Sequence, residues 1–299
     1  MEKDHTEASC PGFRDTFVRE SRRERVMRYE KCGQLPVLKF PALEACGKVR
    51  HFFTTRAGGV SGGQFSTLNF SISLGDSPEN VLENYRRVSA ALGCSPEEIV
   101  GTVQTHTTNI RRVGLSDVGK GITRRTDYGD VDGLVTDQKG LVLAAYAADC
   151  VPLFFVDPVK EAVGLAHSGW RGTAGNMAGR MVERMHMEFG SDPADLFVGI
   201  GPSICRECYE VDEDTAAHFT DLTEDSFEPG RRVLEPGKKP GKYQLDLWGA
   251  NYIRLIRAGV LPEKIEVTDI CTAHNSEQLF SHRASSGKRG NLGAFLGLI

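Results

Sequence analysis

The chain is 299 residues long, 40% hydrophobic and 25% charged, with a formal net charge of −4, a balance ordinary for a soluble globular protein that buries a sizeable core. No overall basic field exists to neutralise phosphates, so nucleic acid is not an expected partner. The start, MEKDHTEASC, lacks the basic-then-apolar pattern of a secretory signal, and no apolar run approaches the roughly 18 residues of a membrane span. The eight cysteines form no dense disulfide-like framework, so reduced thiols or ligands in a cytoplasmic protein are expected.

Residues 1–33 read as an N-terminal extension. Residues 14–31 alternate charge densely and, with Phe13 just before them, offer only a thin apolar stripe of Phe13, Phe17 and Val26, the pattern of a solvated helix or a loosely attached arm. Residues 34–299 then form the folded body. Residues 34–40 and 51–55 read as strands, the second stopping at a loop with four glycines in six residues, 58–63. An amphipathic helix follows, with Val81, Leu82, Tyr85, Val88 and Leu92 at helical spacing. A capped turn at 95–98 leads into a strand over 99–103.

Apolar runs at 141–147, 151–156 and 162–166 have the length of buried strands. Thr173 is the expected N-cap of a helix reaching Phe189, with an inner stripe of Met177, Met181, Met185 and Phe189 that reads as core, and Gly190 ends it. Strands are expected at 196–200, 265–270 and 294–299, a helix over 245–258, and an exposed loop over 227–243. The alternation of strands and helices argues one α/β or α+β domain.

Chemistry concentrates at the strand ends. The run 99–103 delivers Gln104-Thr105-His106, the run 141–147 opens into Asp149-Cys150, and the run 162–166 ends in His167. Two imidazoles and a thiolate suit zinc and leave a fourth position for water or substrate. The spacings of 44 and 17 residues match no short motif, and Cys150 with His167 alone could equally be a nucleophile and its base. His186-Met187-Glu188 with Cys205-Arg206-Glu207-Cys208 imitates a zinc-deaminase signature, but Pro202 is not adjacent to Cys205 and His186 sits in the last turn of its helix rather than opening one.

Eight stretches in order, TTRAGGVSGG (54–63), STLNFSISLGD (66–76), VQTHTTNI (103–110), DVDGLVT (130–136), ADCVPLFF (148–155), AHSGWRGT (166–173), GIGPSIC with CYEV (199–211) and CTAHN with FSHR (271–283), resemble the laccase-domain family. It is named for multicopper polyphenol oxidases, is also called the YfiH family, and is assigned as purine nucleoside phosphorylases. The resemblance covers most of the chain from His51 onward. It implies a layered α-β-β-α sandwich with mixed sheets and a single zinc held by His106, Cys150 and His167. It also implies that inosine or adenosine reacts with phosphate to give free base and ribose 1-phosphate, with methylthioadenosine phosphorolysis and adenosine deamination as further activities. The chain departs from the family pattern at Thr107, where glycine is usual, and at His274, where a cysteine often stands.

Phosphorolysis needs a bound phosphate. Arg171, beside an expected helix start with free N–H groups, is the first candidate to hold it, and Arg56 before the glycine loop is the second. Arg171 joins Cys150, His106 and His167 as a catalytic candidate. Asn69, Gln104, Asp132 and Trp170 join Arg56 as substrate-binding candidates, Asp132 alternatively orienting a metal-bound histidine and Trp170 stacking a purine. Asp149 is expected to be structural.

Two other chemistries fit parts of the pattern. A cysteine hydrolase or amidase acting on cell-wall precursors would use Cys150 as nucleophile and His167 as base. A copper-dependent polyphenol oxidase is less compatible, because the eight histidines include no H-x-H pair of the kind that builds a trinuclear copper cluster.

Overall fold

The computed structural model describes residues 27–299. Two six-stranded sheets stack face to face. The first has the order Arg28–Cys32, Leu35–Lys39, Val49–Thr54, Leu292–Leu298, Val142–Ala147, Ile99–Gly101, and is antiparallel except for its last pair. The second has the order Ile265–Val267, Phe197–Ile200, Val151–Asp157, Ala162–Ser168, Gly133–Thr136, Ile110–Arg112, with parallel pairs at both edges and antiparallel pairs between.

Strand parity explains the layering. Val142 and Ala144 face outward with Phe52 and Phe295, where Val81, Tyr85 and Val88 of the Pro78–Leu92 helix cover them. Leu143, Ala145 and Leu296 face inward and meet Phe154, Val156, Val163 and Leu165 of the second sheet. On the far side Met177, Met181 and Met185 of the Met177–Phe189 helix, with Ile253 of the Leu247–Arg257 helix, cover Val151, Leu153 and Phe155. The strands Val151–Asp157 and Ala162–Ser168 are buried at every residue. That is why they read as continuous apolar runs rather than alternating ones. The result is the expected α-β-β-α sandwich in one domain.

Four expectations are corrected. The boundary at residue 33 falls inside a hairpin, because Arg28–Cys32 pairs with Leu35–Lys39 around Gly33, whose φ is 63°, and Met27 is buried. Arg28–Cys32 is an edge strand, a place where charged side chains are favoured because they discourage pairing with another chain. The apolar stripe Phe13, Phe17 and Val26 lies outside the described residues.

Thr173 does not cap the long helix. It lies inside a separate helix, Trp170–Ala174, with its hydroxyl turned inward to Ser168 and Asn251, and Asn176 caps Met177–Phe189 by accepting from the Gly179 N–H. The region 227–243 is not all loop. Leu234–Pro236 and the start of Lys242–Leu245 lie within it, and the two strands join Glu210–Asp212 in a three-stranded sheet. The strand expected over 99–103 is shorter, Ile99–Gly101, and Val103 makes an isolated bridge to Val131.

His51 lies in the core between Phe40 and Phe154, where its Nε2 accepts the Phe40 N–H at 3.0 Å. Burial, and secondarily the Lys39 charge, hold its imidazole down to about 3. An unfolded histidine protonates near 6.5. Between those values the unfolded chain takes up a proton that the folded chain refuses, so acid destabilises the fold through this group. Urea unfolding should show about 2 kcal/mol of this contribution lost by pH 5. His51→Gln, which keeps an acceptor for Phe40, should flatten the slope between pH 7 and 5.

Candidate metal and substrate site

The chain crosses from the first sheet to the second at Ala148-Asp149-Cys150, between Val142–Ala147 and Val151–Asp157. Asp149 takes a left-handed backbone there, φ 93°, which is costly for a non-glycine residue unless its surroundings hold it. Its carboxylate is fixed by the Thr272 hydroxyl at 2.6 Å and the Arg283 N–H at 2.7 Å. Asp149 is structural, as expected, and it sets where Cys150 stands.

His167 remains within its strand, paired across to Pro152. The pairing of Gly133 with Ala166 places Asp132 directly beside it, and the His167 N–H donates to the Asp132 carbonyl at 2.8 Å. The Asp132 side chain then does two things. Oδ1 lies 2.8 Å from Nδ1 of His167, and the two carboxylate oxygens accept the successive backbone N–H groups of Thr105, His106 and Thr107 at 2.9–3.1 Å. Three consecutive N–H groups converging on one carboxylate make an anion nest, and the nest holds His106 at φ 64°. One buried carboxylate therefore positions two of the three candidate ligands. Burial acts to raise the Asp132 carboxyl, but His167 and the N–H of Thr105 outweigh it and hold it below the usual carboxylate range.

The donor atoms of His106, Cys150 and His167 lie within 4.8 Å of one another, and the two imidazoles meet edge to face. Burial works to raise the Cys150 thiol, yet His167 and His106 pull it down to about 6. Burial likewise works against charge on His167, and Cys150 and Asp132 raise it to about 9. A thiolate held among imidazoles, with a carboxylate behind one of them, is a donor set that fits a divalent metal. Gly169 closes the back of the group. A Cβ there would sit 3.0 Å from Cys150 Sγ and 3.1 Å from His106 Cδ2, so a side chain at this position would press on both ligands.

These three residues lie on the wall of a cavity of about 630 Å³, within the size range of small-molecule sites. Phe70, Tyr85, Ile122 and Tyr146 provide aromatic and apolar wall, and the two tyrosine hydroxyls are 2.6 Å apart. Gln104 also lines it, with its amide clamped to the backbone N–H and carbonyl of Tyr146. Arg289, singled out by nothing in the sequence, lines the same wall. Its Nη1 donates to the Gly290 carbonyl and the Asn291 side chain, while its buried Nε has no partner among the described residues. Burial holds its guanidinium below the usual range and the charge of Cys150 offsets only part of that, which sets it in the electrostatic reach of the thiolate.

Other expected site residues are placed elsewhere. Asn69 is fully buried and all of its amide valences are used, by Ser71, Asp76 and Asn291, so it ties the cavity wall together rather than facing a ligand. Arg56 donates to the carbonyls of Ser66 and Ser276 and lies over Phe280, stapling the glycine loop. Arg171 is exposed and lies over the Trp170 ring, 4.3 Å from its centroid, and neither is among the residues lining the cavity. Trp170 packs against the outer core and His218. The H-x-E imitation separates too: His186 Nδ1 contacts the Ser191 carbonyl, while the two cysteines turn toward Cys271 and His274.

Residues 50–299 match the family model described as multi-copper polyphenol oxidoreductase laccase. The chain is 40% identical over 245 residues to the purine nucleoside phosphorylase YlmD of Geobacillus stearothermophilus, covering 82% of this chain and 88% of that one. It is 37% identical over 264 residues to a purine nucleoside phosphorylase of Deinococcus radiodurans, covering 88% and 93%. The solved structure of a hypothetical protein YfiH from Bacillus licheniformis superposes with a TM-score of 0.83 at 34% identity, covering 90% of this chain and 98% of that one. The chain therefore belongs to the multi-copper polyphenol oxidoreductase laccase family, and its curated relatives carry the name purine nucleoside phosphorylase.

Proposed function

We propose that residues 34–299, extended through the hairpin at Arg28–Cys32, form a zinc-dependent purine nucleoside phosphorylase that works in the cytoplasm, where reducing conditions keep Cys150 a thiol. The observation that carries this reading is the convergence of His106, Cys150, His167 and Arg289 on one nucleoside-sized cavity. Zinc bound by the first three supplies a Lewis acid at the cavity wall. Asp132 keeps the Nδ1 proton on His167, leaving Nε2 to face the metal. The aromatic wall excludes water and receives the purine. Arg289 holds the phosphate through the guanidinium it brings to the cavity wall and remains charged despite burial. A phosphate oxygen then bonds to C1′ as the bond from C1′ to the purine nitrogen breaks, and the base leaves with the proton that the hydrogen phosphate gives up. Inosine and adenosine are the expected substrates, with methylthioadenosine phosphorolysis and adenosine deamination as side activities of the same centre. The first test is product analysis with each nucleoside in the presence of phosphate. Ribose 1-phosphate appearing with free base supports the reading, and cleavage of none of them removes it.

The position of Arg289 changes the phosphate expectation. Arg289→Ala should raise the KM for phosphate by about 10–100-fold, the loss of one charged hydrogen bond, with a smaller change in the nucleoside KM. Arg171→Ala, whose guanidinium lies outside the cavity lining, should change it less. Equal effects would return the phosphate to Arg171.

One observation favours a second reading. Asp132, His167 and Cys150 line up as carboxylate, imidazole and thiolate, the arrangement of a cysteine hydrolase. His106 has no part in such a triad, and its strained backbone would then be held without purpose. Amide cleavage by metal-free protein, abolished by alkylation of Cys150, would favour the hydrolase. Copper-dependent phenol oxidation in the laccase manner needs more imidazoles than gather here: the metal-competent groups among the described residues contain two histidines and one.

A further inference from the structure

A second group of donors stands apart from the cavity. Cys205-Arg206-Glu207-Cys208 and Cys271-Thr272-Ala273-His274 each fold into a tight turn, the first closed by the Cys208 N–H on the Cys205 carbonyl at 3.1 Å, the second by the Asn275 N–H on the Cys271 carbonyl at 3.1 Å. The turns are locked together by a parallel bridge between Ser203 and Cys271 and by the Thr272 N–H on the Ser203 carbonyl at 3.1 Å. Their four donor atoms lie within 4.8 Å of one another. His274 reaches both cysteines of the first turn, 3.1 Å from Cys208 Sγ and 3.8 Å from Cys205 Sγ. In a tetrahedral zinc site with bonds of about 2.3 Å the sulfurs sit about 3.8 Å apart, so small side-chain movements close this group on an ion.

We propose that Cys205, Cys208, Cys271 and His274 form a second, four-coordinate structural zinc site. The chemistry of the donors selects the ion class, since three thiols and an imidazole are soft ligands arranged for a tetrahedral centre. The arrangement leaves no open position, unlike the three-ligand group at the cavity. A backbone donor is already in place around one sulfur, with the Cys205 N–H 3.3 Å from Cys271 Sγ, and outer donors of this kind steady a metal-bound thiolate. Cys205 and Cys271 are buried while His274 is exposed, which gives the ion an entry path from solvent.

The site has a consequence for Cys150. Ile204, next to Cys205, donates its N–H to the Asp149 carbonyl at 3.0 Å, and Thr272, next to Cys271, donates its hydroxyl to the Asp149 carboxylate. Arg283, which also donates to Asp149, reaches the Cys208 carbonyl at 3.2 Å. Both turns of the second site thus grip the residue that presents Cys150, and an ion joining them fixes the wall on which the first site is built.

The test is metal analysis of the full chain purified without added metal. His106→Ala/Cys150→Ala, which dismantles the cavity group, should retain one zinc per chain, and its cobalt derivative should absorb as a tetrahedral thiolate centre. Cys205→Ser/Cys208→Ser should lose that zinc, and the single change His274→Ala, which spares the buried cysteines, should weaken zinc binding in chelator competition by more than about 100-fold. A metal-free His106→Ala/Cys150→Ala protein, unchanged zinc affinity in His274→Ala, or a disulfide among Cys205, Cys208 and Cys271 in freshly purified protein would each overturn the proposal. None of these readouts depends on the reaction catalysed at the cavity.

Discussion

Cys150→Ala should lose one zinc equivalent relative to the wild type and lower phosphorolysis by about 10³-fold or more. The size follows from what the thiolate does. It is the only anionic ligand in the cavity group, and it comes from the crossing between the sheets, so the remaining histidines cannot shift to replace it. A Lewis acid contributes several kcal/mol of transition-state stabilisation, and about 4 kcal/mol corresponds to about 10³-fold in rate. The fold should survive, because Cys150 is only half-buried and the crossing is held by Asp149 rather than by the thiol. Circular dichroism and the unfolding midpoint check that survival, while zinc content and ribose 1-phosphate formation check the loss. Retained activity in a zinc-depleted variant would mean that phosphorolysis needs neither this zinc nor the Cys150 thiolate.

Asp132→Asn should produce the second-largest effect, through positioning rather than contact with substrate. The native carboxylate accepts from three successive N–H groups and from the His167 imidazole. An amide replaces one acceptor oxygen with a donor, so at least one of those groups faces another donor in a buried setting, and the charge that holds the nest is lost. The expected result is a 10–100-fold fall in zinc affinity together with a stability loss of about 3 kcal/mol. A purely structural role would lower stability alone. Zinc affinity by chelator competition, measured below the unfolding temperature, separates the two. The wild-type carboxyl also adds a pH dependence whose sign is fixed. Its folded value lies below the unfolded one, so the stability it provides is present above about pH 4 and is lost as pH falls further. Asp132→Asn should remove that acid limb.

Much of the frame was legible because this fold uses strands buried on both faces. The runs that became Val142–Ala147, Val151–Asp157 and Ala162–Ser168 carry no polar alternation to confuse them, and the Pro78–Leu92 helix announces itself through its cap at Ser77 and its apolar spacing. His106, Cys150 and His167 were visible as reactive side chains at the ends of such runs. The edge strand Arg28–Cys32 was not, since its charge pattern imitates a solvated helix and only pairing with Leu35–Lys39 makes it a strand.

The dual role of Asp132 depends on strand register, which the sequence does not state. Only once Gly133 is known to lie opposite Ala166 does Asp132 fall beside His167. Arg289 escaped for a different reason. It belongs to the polar run 285–291, and it is held at the cavity wall by Asn291, whose N–H donates to the Asn69 side chain. Its position just before the Leu292–Leu298 strand was the available signal, the same strand-end placement that marks Cys150. Arg171 and Arg56 carried the stronger sequence signal and proved to be stacked on Trp170 and stapled to the glycine loop. A guanidinium beside a glycine cannot be assigned to a phosphate until the carbonyls near it are known.

The most direct measurement is a zinc titration of metal-depleted protein with inosine and phosphate, following hypoxanthine and ribose 1-phosphate together. The prediction is that depleted protein is inactive, that activity returns with zinc, and that the two products appear in equal amounts only when phosphate is present. Full activity without metal, or base release that ignores phosphate, would contradict a phosphate-using zinc centre at His106, Cys150 and His167.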